Sequence, residues 1–419
     1  MALSEKYDRF MNGLDRDHFD LLRTVMFASL PTREWLIEIS PWGRSKTDAL
    51  LKELTNRHLL DVEKQDSNSK GRKPFVYRVA RSVGCFIGAE INPAYDRFTV
   101  VDPNMAVFHR EQRPSSMEKT DPFSALHRNL SGVLESCGAS PESVWALGVG
   151  IQGLSDADPG FLKELLFHPE EYHSSIQSSV ESEFGIPVFI TWPKVLLYLK
   201  ESFDSSLPAK RNFVNVLLDY GTGLGIFVDG KYYEGESGFA GGFGHVVIPN
   251  NERLCYCGNT GCLRTLVSFR GICQEALSRL ERDSGSPISS ALDAQKLRGP
   301  YYDEGVEAII EHAVREQDKL CINLLYDIGA TVGAVLAGVV SILNPGLLII
   351  HSNLARAGEI FTSPLRMMIR KQAFTSTLSA LAVEFRTIDA YAFSDGGAIH
   401  AARELMAAFE QQVREQARV

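Results

Sequence analysis

Over the first eighty residues apolar side chains recur at helical spacing. Phe19, Leu22, Val25, Met26 and Leu30 follow Asp15 and Asp17, either of which can cap the start of a helix. Pro31-Thr32 reads as a break with a new cap, and Trp35, Leu36 and Ile39 line a short second helix ending near Pro41. After the tight turn Pro41-Trp42-Gly43, Ser45 is expected to cap a third helix. Ala49, Leu50 and Leu54 would face inward there, leaving Arg44, Lys46, Thr47, Lys52 and Asn56 on the outward side. Residues 59–62 and 75–79 read as two strands around a polar loop that contains SNSKGRKP. Two short helices joined by a glycine turn make a helix-turn-helix, and the strand pair behind it makes a wing.

From Cys85 the pattern changes to alternating strands and amphipathic segments, an α/β text. CFIGAEINPAYDRFTVVD reads as a hairpin, and residues 144–151 and 188–190 as buried strands. FVNVLLDYGTGLGIFVDGKYY gives another hairpin. Its turn, Gly221-Thr222-Gly223-Leu224-Gly225, exposes backbone N–H groups that can cradle a phosphate, or simply makes a tight turn. A helical stretch over 302–343 precedes a strand over 346–351, and Ser394-Asp395-Gly396-Gly397-Ala398 opens a final helix.

With 419 residues, 44% of them hydrophobic and 23% charged, the chain is long enough for two or three cores, and disorder, collagen and repeat arrays are excluded. The apolar runs end short of the roughly 18 residues that a bilayer span requires, so no membrane insertion is expected. The start, MALSEKYDRFMNG, lacks the basic and apolar segments of a secretion signal, which predicts a cytoplasmic protein. The net charge of −9 is unevenly spread: residues 43–80 carry 9 Lys and Arg against 5 Asp and Glu. That surplus points to a polyanion partner, with a solvated basic face as the alternative. A helix start fits the major groove of DNA, which makes Arg44, Ser45, Lys46 and Thr47 candidates for base edges. Lys70, Arg72 and Lys73 of the wing are candidates for phosphate or minor-groove contacts. A winged helix used for protein contacts is the competing reading.

Seven cysteines is an odd number, and three fall within eight residues: Cys255-x-Cys257-Gly-x-x-Gly-Cys262, ten residues after His245. Three thiolates and one imidazole meet the tetrahedral preference of Zn2+, and a filled four-ligand shell is structural. The alternative, cysteines packed as small hydrophobes, suits a polar glycine-rich loop poorly.

Taken together, these segments resemble the ROK family of repressors, open reading frames and sugar kinases, over essentially the whole chain. GFAGGFGHVVIPNNERLCYCGNTGCLRTLVS is similar to the family's Gly-His segment and zinc loop, with His245, Cys255, Cys257 and Cys262 at the ligand positions. DYGTGLGIFVDGKYYEG resembles its second phosphate-binding hairpin, and the winged helix is similar to that of the regulator branch. The resemblance implies an actin-like, hexokinase-like body of two α/β domains around a cleft. The expected division is 1–80 for the winged helix-turn-helix, 81–200 with 391–419 for the first subdomain, and 201–390 for the second, with the zinc loop and dimerisation helices.

The resemblance also tests enzymatic function residue by residue. Where the family's kinases have Asp-x-Gly-Gly-Thr, this chain has Glu90-Ile91-Asn92-Pro93-Ala94, whose side chains stand where phosphates need bare backbone. Trp192 and Pro193 replace the Asn and the catalytic Asp, and His351-Ser352 replaces the adenosine-side Gly-Gly. The expectation is therefore no catalytic residue and no kinase activity. Two sugar-binding glutamates become Gly242 and Arg264, leaving His245. The guanidinium fork of Arg264 suits a sugar phosphate or sugar acid, which makes Trp192, Gly242, His245 and Arg264 the candidate effector residues. A vestigial cleft with Arg264 paired to a neighbouring acid is the other reading. The function implied is a DNA-binding transcriptional repressor of sugar-related genes, a homodimer or homotetramer on a palindromic operator of double-stranded DNA. The alternatives are a sugar kinase with an accessory DNA-binding domain and a regulator acting through protein contacts.

Overall fold

The computed structural model describes residues 2–64, 75–92, 94–116, 122–151, 169–203, 212–236, 239–282, 285–290 and 302–416. It opens with a helix outside the expected set, Ala2–Met11. The next helix, Arg16–Met26, starts in a capping box in which Asp15 accepts from the His18 amide and the His18 ring faces the Asp15 amide. Thr32 caps Arg33–Ile39 through the Trp35 amide. The third helix of the expected motif, Arg44–Asn56, is capped at Gly43 and not at Ser45, which lies inside its first turn. Its buried side is Thr47, Leu50, Leu51 and Leu54, and Ala49 is exposed. Strands β1 (Leu60–Lys64) and β2 (Phe75–Val79) follow as an antiparallel ribbon in which Leu60 faces Val79.

The body has two five-stranded sheets built to one plan. The first, in the order β5-β4-β3-β6-β7, contains β3 (Cys85–Ile91), β4 (Tyr95–Val101), β5 (Val107–Pro114), β6 (Val144–Ile151) and β7 (Val188–Thr191). The second, in the order β10-β9-β8-β11-β12, contains β8 (Phe213–Leu218), β9 (Thr222–Val228), β10 (Lys231–Tyr232), β11 (Leu347–His351) and β12 (Ala382–Arg386). In each, antiparallel hairpin strands at one edge give way to parallel strands at the other.

The helical stretch expected over 302–343 is two helices, Tyr302–Val314 and Lys319–Leu343. Asp318 breaks it by capping the second, its Oδ1 accepting from the Leu320 amide at 2.8 Å. Lys319–Leu343 corrects one expectation: its 18-residue window of mean hydropathy 1.7 is long and apolar enough to cross a bilayer. Short apolar runs concealed this, because uncharged glycine, threonine and serine fill the gaps between them. In the structure the helix packs on Glu359–Gln372. Gly329 and Gly333 lie so close to it that a Cβ at either would stand 2.4 Å from the carbonyl oxygens of Phe361 and Leu365 respectively.

The final helix, Ala392–Gln416, returns to the first sheet. A Cβ on Gly88 would lie 1.8 Å from the Ser394 oxygen, and one on Gly148 1.9 Å from the Gly397 oxygen, so helix backbone rests directly on strand backbone. The far end of this helix meets the head. Phe409 lies 5.4 Å from Tyr7 and 5.5 Å from Phe10, and Phe10 packs edge-on against Trp145. Arg23 pairs with Glu410, and Lys6 donates to the carbonyls of Pro141 and Glu142. Head and first sheet therefore share one apolar core. Phe409→Ala should cost about 3–5 kcal/mol in chemical denaturation and speed proteolysis of the head; a cost under about 1 kcal/mol would show that the head is not held by this packing.

Candidate functional site

In the head, Arg44 and Ser45 stand exposed at the start of the helix Arg44–Asn56, as expected of residues that reach outward. Lys46 is also exposed, but its ammonium pairs with Asp17 and lies 5.9 Å from the Trp42 ring. Trp42 in turn donates to Asp17 Oδ1 at 3.0 Å. Thr47 corrects the expectation of an outward base contact. It is fully buried, its hydroxyl 2.8 Å from that of Ser40 and within reach of the Trp42 carbonyl, because the helix begins earlier than Ser45 and turns this position into the core. Asp48 is held by Arg33 through two bonds of 2.7 and 2.5 Å. Lys70, Arg72 and Lys73 lie outside the described residues.

In the body, the loop after β10 brings His245, Cys255, Cys257 and Cys262 together, with one donor atom of each within 4.8 Å of the others. The Cys257 and Cys262 sulfurs are 3.7 Å apart, as is the pair His245 Nδ1 and Cys255 Sγ. Tetrahedral Zn–S bonds of about 2.3 Å place sulfurs roughly 3.8 Å apart, so the donor set fits such an ion. Tyr256 Oη sits 3.3 Å from His245 Nε2 and orients the ring with Nδ1 toward the thiols. Burial and the nearby Arg264 lower the His245 pKa, favouring the neutral imidazole that binds metal.

The β3–β4 and β8–β9 hairpins hold a different chemistry. Asn92 is buried and closes the β3–β4 turn, accepting from the Ala94 amide at 2.9 Å through Oδ1. Pro93 lies outside the described residues. Behind Asn92, burial pushes Glu90 up to about 8, and Asp96 and Asp219 each up to about 6. Arg97, 3.9 Å from Glu90, opposes the first of these shifts. The charge of Asp303 adds to the rise at Asp219, and Tyr220 donates to Asp303 at 2.8 Å. His351 is buried beside Glu201.

Of the expected effector residues, Trp192 lies against Phe239 with ring centres 5.8 Å apart, Gly242 starts the short turn that carries His245, and Arg264 stacks 4.0 Å from the Tyr256 ring. Among the described residues Arg264 meets no carboxylate, so the acid partner of the vestigial-cleft reading is not found there. One residue was missed in the sequence. Lys194 follows Pro193 into the helix Pro193–Phe203 and donates to the Ala240 carbonyl at 2.6 Å. Its signal was a basic residue at a helix start, where cations are disfavoured.

The ROK family profile matches residues 86–405. A putative xylose repressor from Caldicellulosiruptor sp. is 24% identical over 375 residues, covering 87% of this chain and 90% of its own. Among solved structures, a ROK family transcriptional regulator, a homologue of E. coli Mlc, superposes with a TM-score of 0.70 at 18% identity over 95% of this chain and 98% of its own. A glucokinase from Streptomyces griseus in complex with glucose and AMPPNP superposes with a TM-score of 0.61 at 23% identity over 76% of this chain and all of its own. These likenesses show the hexokinase-like ROK fold of the body.

Two outcomes follow. Cys257→Ser should lose bound metal in elemental analysis and lower the melting temperature, since ligand binding to such a loop is folding energy; unchanged metal content would contradict the ligand set. A raised carboxyl contributes stability that is complete below its unfolded pKa and lost as pH rises through the folded one. For Glu90 that window runs from 4.5 to about 8. The melting temperature should fall across it, and less steeply in Glu90→Gln; equal slopes would mean that Glu90 titrates normally.

Proposed function

Because this chain belongs to the ROK family, we propose that it is a DNA-binding transcriptional repressor of sugar-related genes whose body senses a small molecule without phosphorylating it. The observation that carries this reading is the head: the regulator superposes over head and body together, whereas the glucokinase is accounted for by three quarters of the chain. Residues 1–80 form the DNA-binding domain, 81–200 with 391–419 the first lobe of the body, and 201–390 the second. Arg44 and Ser45 read base edges. Lys46, neutralised by Asp17, sets the helix against the turn, and Lys70, Arg72 and Lys73 of the wing meet phosphate. The structural metal is Zn2+, held by His245, Cys255, Cys257 and Cys262.

The body is not a kinase in this reading. Asn92 closes the turn where phosphates need backbone, and no carboxylate stands at Trp192-Pro193 to take a sugar proton. The protein works in the cytoplasm as a homodimer or dimer of dimers, which sets two recognition helices on the half-sites of a palindromic operator. Fragments selected from a random DNA pool should contain such a palindrome. Their binding should weaken steeply with salt, and Arg44→Ala should cost about 1–3 kcal/mol and relax one position of the site. Absence of any salt-dependent DNA binding by the intact chain would favour a regulator acting through protein contacts.

A further inference from the structure

The helix Arg44–Asn56 sorts its side chains by what already holds them. Thr47, Leu50, Leu51 and Leu54 are buried in the head. At about 100° per residue, Ser45, Ala49, Lys52 and Asn56 fall on the opposite side, stacked along the helix axis, and all of them are exposed. The residues flanking this stripe are committed elsewhere. Lys46 pairs with Asp17, Asp48 takes both arms of Arg33, and Glu53 lies 3.1 Å from His18 Nε2 and accepts from Arg57 at 2.8 Å. Asp48 and Glu53, the acids of this helix, are thus matched by bases of the head, so no unopposed carboxylate meets an approaching phosphate backbone. Along the stripe itself, the side chains of Ser45, Lys52 and Asn56 bond to no described residue.

The profile of the stripe is uneven. Ser45 and Asn56 are short and polar, Lys52 is long and cationic, and Ala49 between them offers only a methyl group. An alanine at that place has no atoms beyond Cβ to hold the helix away from the floor of a groove. It also leaves a small apolar surface, and the C5 methyl of thymine is the apolar feature that the major groove presents. The surrounding pairs fix where this methyl stands. Arg33 ties Asp48 to the helix Arg33–Ile39, and Asp17 ties Lys46 and the Trp42 ring N–H to the helix Arg16–Met26. Ala49 is therefore carried on a helix fastened at its flanks, as discrimination by one small contact requires.

We propose that Ala49 is a specificity-determining residue of this head, its methyl group packing on the C5 methyl of a thymine in each half-site, with Ser45 and Lys52 bounding the contact one turn to either side. This rests on the repressor reading above and names a base that the operator contains. Arg44 and Ser45 supply hydrogen bonds to base edges, whereas Ala49 supplies the apolar contact that tells thymine from cytosine.

The test uses the intact protein and a duplex selected for tight binding from a random DNA pool, with each thymine replaced in turn by deoxyuridine, which lacks only the C5 methyl. The expected result is one thymine per half-site whose replacement weakens wild-type binding about fourfold, the contribution of one buried methyl group. Ala49→Gly should bind the thymine and uracil duplexes equally. Ala49→Glu, which adds bulk and negative charge at an exposed position, should keep its melting temperature and lose about a hundredfold in affinity. Melting temperature and metal content check that each variant is folded. Wild-type binding insensitive to uracil at every thymine overturns the proposal, as does a uracil effect that Ala49→Gly retains in full, or operator binding by folded Ala49→Glu equal to that of the wild type. Selective, salt-dependent binding of a duplex with no uracil effect rejects the role of Ala49 and leaves the repressor reading intact. Failure of the wild-type protein to select any duplex rejects both.

Discussion

The backbone contact between the final helix and the first sheet is the constraint on which the rest of the architecture depends. Only glycine at 88 and 148 lets the Ser394 and Gly397 carbonyls approach the strands so closely, and Gly396 is similarly pressed against the Leu196 carbonyl. Near the start of that helix Asp395 receives Arg110 through two bonds, Thr99 at 2.9 Å and Lys200 at 3.5 Å. Near its end Phe409 and Glu410 hold the head through Tyr7, Phe10 and Arg23. One helix thus touches both the first sheet and the head. Lys200 lies on the same helix as Lys194, so the cleft contact, the Asp395 cluster and the head form a contiguous path of packed and bonded groups.

The turn at Asn92 is closed by a side chain bonded to its own backbone, and the acids behind it are held partly protonated by burial. Burial raises the cost of charging each of these acids. Trp192, Lys194 and Arg264 put bulk and positive charge beside Phe239, Ala240 and Tyr256 respectively.

Much of this was legible in the residues. Strands dense in β-branched and aromatic side chains, such as Val144–Ile151 and Phe213–Leu218, lie where their patterns put them, and the His245, Cys255, Cys257 and Cys262 set gathers as its spacing requires. The helix Ala2–Met11 was hidden because its buried Tyr7 and Phe10 pack largely on Phe409 and Trp145, far away in sequence, with only Phe19 from the neighbouring helix. Thr47 was misplaced because the cap was set two residues late, at Ser45, and a glycine cap leaves no side-chain signal. Lys194 was missed because its only sequence signal was weak and its partner is a backbone carbonyl far along the chain, which no local pattern encodes.

The central claim is that a phosphotransferase-like body now senses and does not catalyse. The most direct measurement is ADP release by the purified, metal-loaded protein, followed with ATP and Mg2+ across a panel of hexoses and amino sugars. The account predicts a rate indistinguishable from the no-sugar control for every member of the panel. Sugar-dependent turnover that rises in proportion to protein concentration and disappears on mutation of the cleft would contradict it.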